Sequence, residues 1–281
     1  MEKHVIMEGD ILRFARHLEE LEYARSSVEK YTRDLRAFKR WLGNRSVEKE
    51  VFPQWKAHLQ TCGYRPETIN AMLSALNGFF RFMGWEGYRI RYLKIQRKMF
   101  RSMEKELTKG EYTRLVEAAD RDGKQRLALL METICATGIR VSEVRYITVK
   151  AVGEGRASIA LKGKVRTILI PGKLCRKLQK YARRRNITSG EIFLTRNGRG
   201  MSRRQIWAEM KALCDKAGVA SSKVFPHNLR HLFARTFYQV SRDVAKLADV
   251  LGHSSMETTR IYLISTGVEH VRQLERLGLI S

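Results

Sequence analysis

Four short stretches in the C-terminal half of this chain carry side chains suited to work on a phosphate ester. In Ala136-Thr137-Gly138-Ile139-Arg140-Val141-Ser142-Glu143 an arginine stands at a turn after a glycine, with a glutamate three residues on. A planar guanidinium can clamp two phosphate oxygens at once, and a carboxylate at that spacing can hold it in place. Pro226-His227-Asn228-Leu229-Arg230-His231 sets a histidine and a second arginine on one face of a helix, pairing a proton-transfer group with a second clamp. Leu251-Gly252-His253-Ser254-Ser255 leaves His253 at a break between helices, and Arg260-Ile261-Tyr262-Leu263 places a tyrosine nine residues after it. A phenol becomes a nucleophile once a base takes its proton.

Each stretch also has an ordinary reading. An arginine at a helix start is commonly just solvated, a loop histidine just hydrogen-bonded, and a tyrosine between Ile261 and Leu263 part of a core. His227 and His231, at i and i+4, have the spacing of a zinc pair, but the zinc-protease form needs Glu after the first His and here Asn228 follows. No metal is expected.

The elements that must position these residues are legible in the apolar spacing. Thr108 to Glu111 reads as a capping box opening a helix, so a second domain begins near Leu107 and covers residues 107–281. Arg126 to Thr137 is apolar nearly all round and predicts a buried helix stopped by Gly138. Ala157 to Leu161 and Val165 to Ile170 flank a Lys-Gly-Lys corner and predict a β-hairpin. Further helices are expected over 173–185, 202–217, 227–239, 241–251 and 254–263, the last capped by Ser254 with Tyr262 inside it. After Gly267 an amphipathic tail carries Val268, Val271, Leu274, Leu277 and Ile280.

Residues 1–92 read as a separate helical bundle. Asp10 is placed to cap a helix carrying Ile11, Phe14 and Leu18, and Ser26 with Glu29 to box a second carrying Val28, Tyr31, Leu35, Phe38 and Leu42. A third is expected from near Pro53 and a fourth from near Pro66. Residues 93–106 hold Lys94, Arg97, Lys98, Arg101 and Lys105 with little apolar periodicity, as in a linker that follows DNA or in a plain solvated charge run. The fold class expected is thus multidomain, mainly α with a small β-sheet.

Lys and Arg outnumber Asp and Glu by 54 to 29 over 281 residues, a net charge of +25. That excess attracts a polyanion by counterion release and points to nucleic acid, whether bound by an enzyme or by a structural protein. Cys62, Cys135, Cys175 and Cys214 lie too far apart for a metal pair or a stapled loop and are expected to be reduced. The start, Met1-Glu2-Lys3-His4, has no basic stretch followed by an apolar one, and no run of residues is long enough to span a bilayer, so a cytoplasmic protein is expected.

Taken in order, the four stretches and the hairpin resemble the tyrosine site-specific recombinases, or phage integrases, whose marks are A-T-G-[LI]-R-x-S-E, a hairpin lysine, H-x-L-R-H, L-G-H and a tyrosine nine residues beyond that last histidine. The 23 residues from Arg230 to His253 also suit the family. The resemblance is strong from Leu107 onward and general before it, where the family's helical, SAM-like core-binding bundle would lie. It implies that Arg140 and Arg230 neutralise the phosphate, that Glu143 supports Arg140, and that Tyr262 attacks to give a 3′-phosphotyrosine. It further implies that His227 acts as base, His253 as hydrogen-bond donor and a hairpin lysine as leaving-group acid. Lys162 is chosen, with Lys164 open, because Leu161-Lys162-Gly163-Lys164-Val165-Arg166 is shorter than the family's G-K-G-x-K-x-R turn.

The resemblance also implies no cofactor, neither metal nor ATP, and as partners a double-stranded DNA recombination site and a homotetramer assembled on it. Lys94, Arg97, Lys98, Arg203 and Arg204 are candidate DNA contacts. The amphipathic tail looks like the segment such proteins donate to a neighbour. A simple two-domain recombinase is expected, because the helical module starts almost at Met1. A type IB topoisomerase and a catalytically silent DNA-binding regulator on the same fold are the alternatives.

Overall fold

The computed structural model describes residues 4–95, 103–161, 164–253, 255–260, 262 and 275–277. The chain divides into two compact units, Met1–Arg97 and Lys98–Ser281. As expected, it is mainly helical with one small sheet, and no described helix is long and apolar enough to cross a membrane.

The first unit contains α1 (Glu8–Glu20), α2 (Arg25–Leu42), α3 (Val51–Thr61) and α4 (Pro66–Phe82). Ile11, Phe14, Leu35, Phe38, Trp55, Leu59, Leu73 and Phe79 meet in its core. Three helix starts differ from the sequence reading. α1 begins two residues before Asp10, which reaches back from the third helical position to accept from the Met7 backbone N at 3.0 Å. α2 begins at Arg25 with Ala24 at the cap, and Glu29 accepts from Arg25 Nε at 2.9 Å instead of boxing Ser26. α3 starts at Val51, so Pro53 takes the third position, where its missing N–H leaves no intrahelical bond unmade.

The segment after α4 is fastened to that helix. Asn70 donates to the Leu93 carbonyl at 2.9 Å and accepts from its N–H at 2.8 Å. Asn77, two turns on, does the same to Ile90 at 3.0 and 2.8 Å. Each carboxamide imitates the edge of a strand and holds the chain through Leu93 against α4. Lys94 is exposed just beyond it, while Arg97, Lys98 and Arg101 lie outside the described residues.

The second unit is built around α6 (Gln125–Thr137), whose Leu127, Leu129, Leu130, Met131 and Ile134 are all buried. Packed on it are α5 (Lys109–Arg121), α8 (Gly172–Arg184), α9 (Arg203–Lys211) and α11 (Pro226–Ser241). Thr108 caps α5 through the expected reciprocal box with Glu111. A 3₁₀ turn over Val141–Tyr146 and α7 (Val149–Glu154) lead into β1 (Arg156–Leu161) and β2 (Lys164–Leu169). These strands pair antiparallel from Arg156↔Leu169 to Leu161↔Lys164; Lys162 and Gly163, between the last pair, lie outside the described residues. Residues 202–217 form two helices rather than one, α9 and α10 (Cys214–Ala217).

α12 (Val244–Leu251) is capped by Asp243, which accepts from Lys246 N at 3.0 Å. The last described helix, α13 (Met256–Arg260), is shorter than expected and ends before Tyr262, which sits in a turn with its N–H on the Thr259 carbonyl at 3.0 Å. The proposed cap Ser254 and the tail residues Val268, Val271, Leu274 and Ile280 lie outside the described residues.

Candidate active site

Two helix ends converge on Arg230. α6 ends at Gly138 in a left-handed conformation (φ 64°), and α12 ends likewise at Gly252 (φ 63°). A Cβ at Gly138 would collide with the Phe233 ring, so the position demands glycine on both counts. The carbonyls at these two ends have no helical partner and carry the negative pole of each helix. Arg230, from the first turns of α11, fills that need: Nη1 donates to the Gly138 carbonyl and Nη2 to the Leu251 carbonyl at 2.9 Å. Its side chain is among the largest that are fully buried, at 1% exposure. Burial pulls its pKa down and the hydrogen bond with the Tyr262 phenol opposes that, but a guanidinium keeps its proton regardless.

Arg140 stands beside it in the turn after Gly138. Its Nη1 donates to Glu143 Oε1 at 2.9 Å, and its backbone N donates to Glu143 Oε2 at 2.8 Å. Glu143 is buried, with a side-chain exposure of 2%, while the Arg140 side chain remains 43% exposed. Arg166, on β2, donates from Nη2 to Glu143 Oε2 at 2.9 Å and from Nη1 to the Leu251 carbonyl.

His253 closes the group. Its Nε2 lies 3.0 Å from Arg230 Nη2 and its Nδ1 2.9 Å from Thr259 Oγ1. An arginine only donates, so Nε2 accepts and the ring proton sits on Nδ1, directed at the threonine. Burial first, then the charges of Arg230, Arg140 and Arg166, lower the His253 pKa to about 4. The imidazole is therefore neutral at neutral pH.

Tyr262 is 3% exposed and packs with Ala234, Leu247 and Leu251. The core reading of this tyrosine is thus correct as far as its surroundings go, yet the same ring lies against the histidines. Its centroid is 4.3 Å from His231, 5.6 Å from His253 in a stacked arrangement, and 6.0 Å from His227. His227 and His231 are themselves edge to face at 4.5 Å.

Arg140, Glu143, His227, Arg230, His253 and Tyr262 therefore lie together. Arg203 and Arg204 are exposed on the first turn of α9, beside Trp207 at 49% exposure, and do not join them. Lys162 lies outside the described residues; of Lys164 only the backbone pairing with Leu161 is described. Sequence reasoning missed Arg166, Thr259 and the packing role of His231. Arg166 had a signal: it occupies the same face of its strand as buried Ile168 and Ile170, where an arginine needs a buried partner.

Residues 105–267 match the model of the phage integrase family, and residues 11–87 that of the phage integrase N-terminal SAM-like domain. The tyrosine recombinase XerA of Pyrococcus furiosus is 30% identical over 276 residues, spanning 95% of this chain and 93% of that protein. In fold, the chain is similar to XerH site-specific recombinase in a post-cleavage complex with palindromic difH (TM-score 0.71, 20% identity, 99% of both chains). It is also similar to a lambda integrase tetramer bound to a Holliday junction (TM-score 0.73, 18% identity, 92% of this chain and 77% of that one).

Proposed function

The chain belongs to the phage integrase family of tyrosine recombinases, and on that premise we propose that its second unit cuts and rejoins double-stranded DNA at a specific site through a covalent link to Tyr262. The carrying observation is that Arg230 and a neutral His253 both meet Tyr262, with Arg140 in the same charged group around His253. Arg140 and Arg230 offset the charge of the non-bridging oxygens, which otherwise repels a nucleophile and grows harder to bear in the pentacovalent transition state.

The Tyr262 oxygen bonds to phosphorus, the bond from phosphorus to the 5′ oxygen breaks, and a 5′-hydroxyl leaves. The phenol proton goes to His227, and the departing oxygen takes a proton from the hairpin lysine, Lys162. His253 Nε2 accepts from Arg230; an entering phosphate draws that guanidinium to itself, and its negative charge favours uptake of a second proton from solvent on Nε2, which then donates to the phosphate while Nδ1–H stays on Thr259. The phosphotyrosine conserves the bond energy, so a 5′-hydroxyl from another strand reverses the step without ATP.

We assign residues 1–92 to gripping the DNA, 93–106 to the connection and 107–281 to catalysis, with Lys94, Arg97, Lys98, Arg203 and Arg204 on the phosphate backbone. A homotetramer on two sites is the working assembly, a reading supported by the likeness to the lambda integrase tetramer. The test begins by selecting a bound duplex from a random-sequence pool, then nicking it near the cleavage point so that the cut cannot reseal. The intact chain in EDTA forms a denaturant-resistant adduct on this duplex, and Tyr262→Phe binds it but forms none. No adduct from the intact chain, or an adduct that survives Tyr262→Phe, overturns the assignment.

A further inference from the structure

We propose that Arg166, on the hairpin strand β2, is a positioning residue that sets both phosphate-binding arginines in place; this rests on the roles given to Arg140 and Arg230 above. Its guanidinium stands one hydrogen bond from each of them. Nη2 binds Glu143 Oε2 at 2.9 Å, and the other oxygen of that carboxylate holds Arg140 Nη1 at 2.9 Å. Nη1 binds the Leu251 carbonyl, which also accepts from Arg230 Nη2 at 2.9 Å. A planar fork with two donors at fixed separation thus fixes the distance between the Glu143 carboxylate and the end of α12, and with it the spacing of the two clamps.

Two further observations fit positioning better than simple charge balance for Glu143. Arg140 already partners that carboxylate, so a neutral side chain on β2 would leave no unpaired charge. Arg166 is also kept at a cost, since its buried Nε has no hydrogen-bond partner among the described residues. The glycine of Leu251-Gly252-His253 makes room for it: a Cβ there would collide with Arg166 Cδ, and the left-handed φ of 63° disfavours one besides. The hairpin, the Arg140 turn and the His253 turn are locked through this one side chain.

The experiment compares Arg166→Met and Arg166→Lys with the wild type in the full chain. It uses the selected nicked duplex and reads DNA affinity and single-turnover cleavage separately. Each is repeated with a methylphosphonate at the scissile position, where a methyl group replaces a charged oxygen and the fixed guanidiniums matter less. Arg166→Met is expected to cut the diester about 30-fold more slowly with affinity within about threefold of wild type, and to recover to within about threefold on the methylphosphonate. Arg166→Lys falls between, because one ammonium cannot span both acceptors, and it decides the matter if the Met variant does not fold. Equal diester rates in wild type and variants overturn the proposal, as does an equal loss on both substrates, which marks general damage. A wild type that forms no adduct overturns the active-site assignment itself, an outcome distinct from either.

Discussion

Arg230→Lys keeps a positive charge at the centre of the site and removes only the planar fork. In the wild type that fork serves the Gly138 carbonyl, the Leu251 carbonyl at 2.9 Å and His253 Nε2 at 3.0 Å. A single ammonium nitrogen cannot meet all three and still turn to a phosphate. The Leu251 carbonyl keeps its bond from Arg166, so the group left wanting is Gly138, buried beneath Phe233. One orphaned carbonyl costs about 1–3 kcal/mol, which lowers the melting temperature of a unit of this size by about 2–12 °C. The effect on chemistry is larger. Loss of one clamp in the transition state lowers the rate by about 10²–10³. The burial that already depresses Arg230 acts on a lysine whose ordinary pKa is near ~10.4, so the variant loses charge toward neutral pH and its shortfall grows as pH rises. Single-turnover cleavage of the selected nicked duplex at 25 °C between pH 6 and 9, beside a calorimetric melt, reads both effects. Cleavage within about fivefold of wild type, or a loss no greater than the unfolded fraction at 25 °C, would refute the reasoning.

Two other expectations follow from His253. Its folded pKa of about 4 lies below the ordinary value of 6.5, so the unfolded chain takes up a proton that the folded chain refuses. The neutral ring's contribution is complete above pH ~6.5 and is lost as pH falls toward ~4; between pH 7.5 and 5 the wild type should lose about 1–2 kcal/mol more urea stability than His253→Gln, allowing for solvent screening. Equal losses would show that the ring titrates normally. Thr259→Val removes the acceptor that holds the His253 proton on Nδ1. Cleavage should fall about 10- to 100-fold with little change in melting temperature, and an unchanged rate would show that the threonine does not orient the ring.

The sequence was most informative where a local rule and a chemical need fell on one residue. Thr108 with Glu111 carries the capping-box signature, Gly138 and Gly252 each join a helix-stop signature to a left-handed φ that favours glycine, and all lie where expected. Asp10 acts from inside the first turn rather than from the cap, and spacing does not separate the two; in α2 the start at Arg25 gives Glu29 the Arg25 guanidinium as its partner in place of Ser26. Asn70 and Asn77 were invisible because their partners are backbone groups 23 and 13 residues away. Arg166 was passed over for its lysine neighbours, though the alternation of its strand faces it inward. Tyr262 was placed in a helix by periodicity, but α13 ends at Arg260, and the turn that follows brings the ring against His231.

Because Ala234, Leu247 and Leu251 pack around the Tyr262 ring, the mechanism proposed above requires the ring to leave that packing before its oxygen can meet a backbone phosphorus. Shielding of this sort requires no inhibitor, since it is a packing arrangement that only a conformational change can undo.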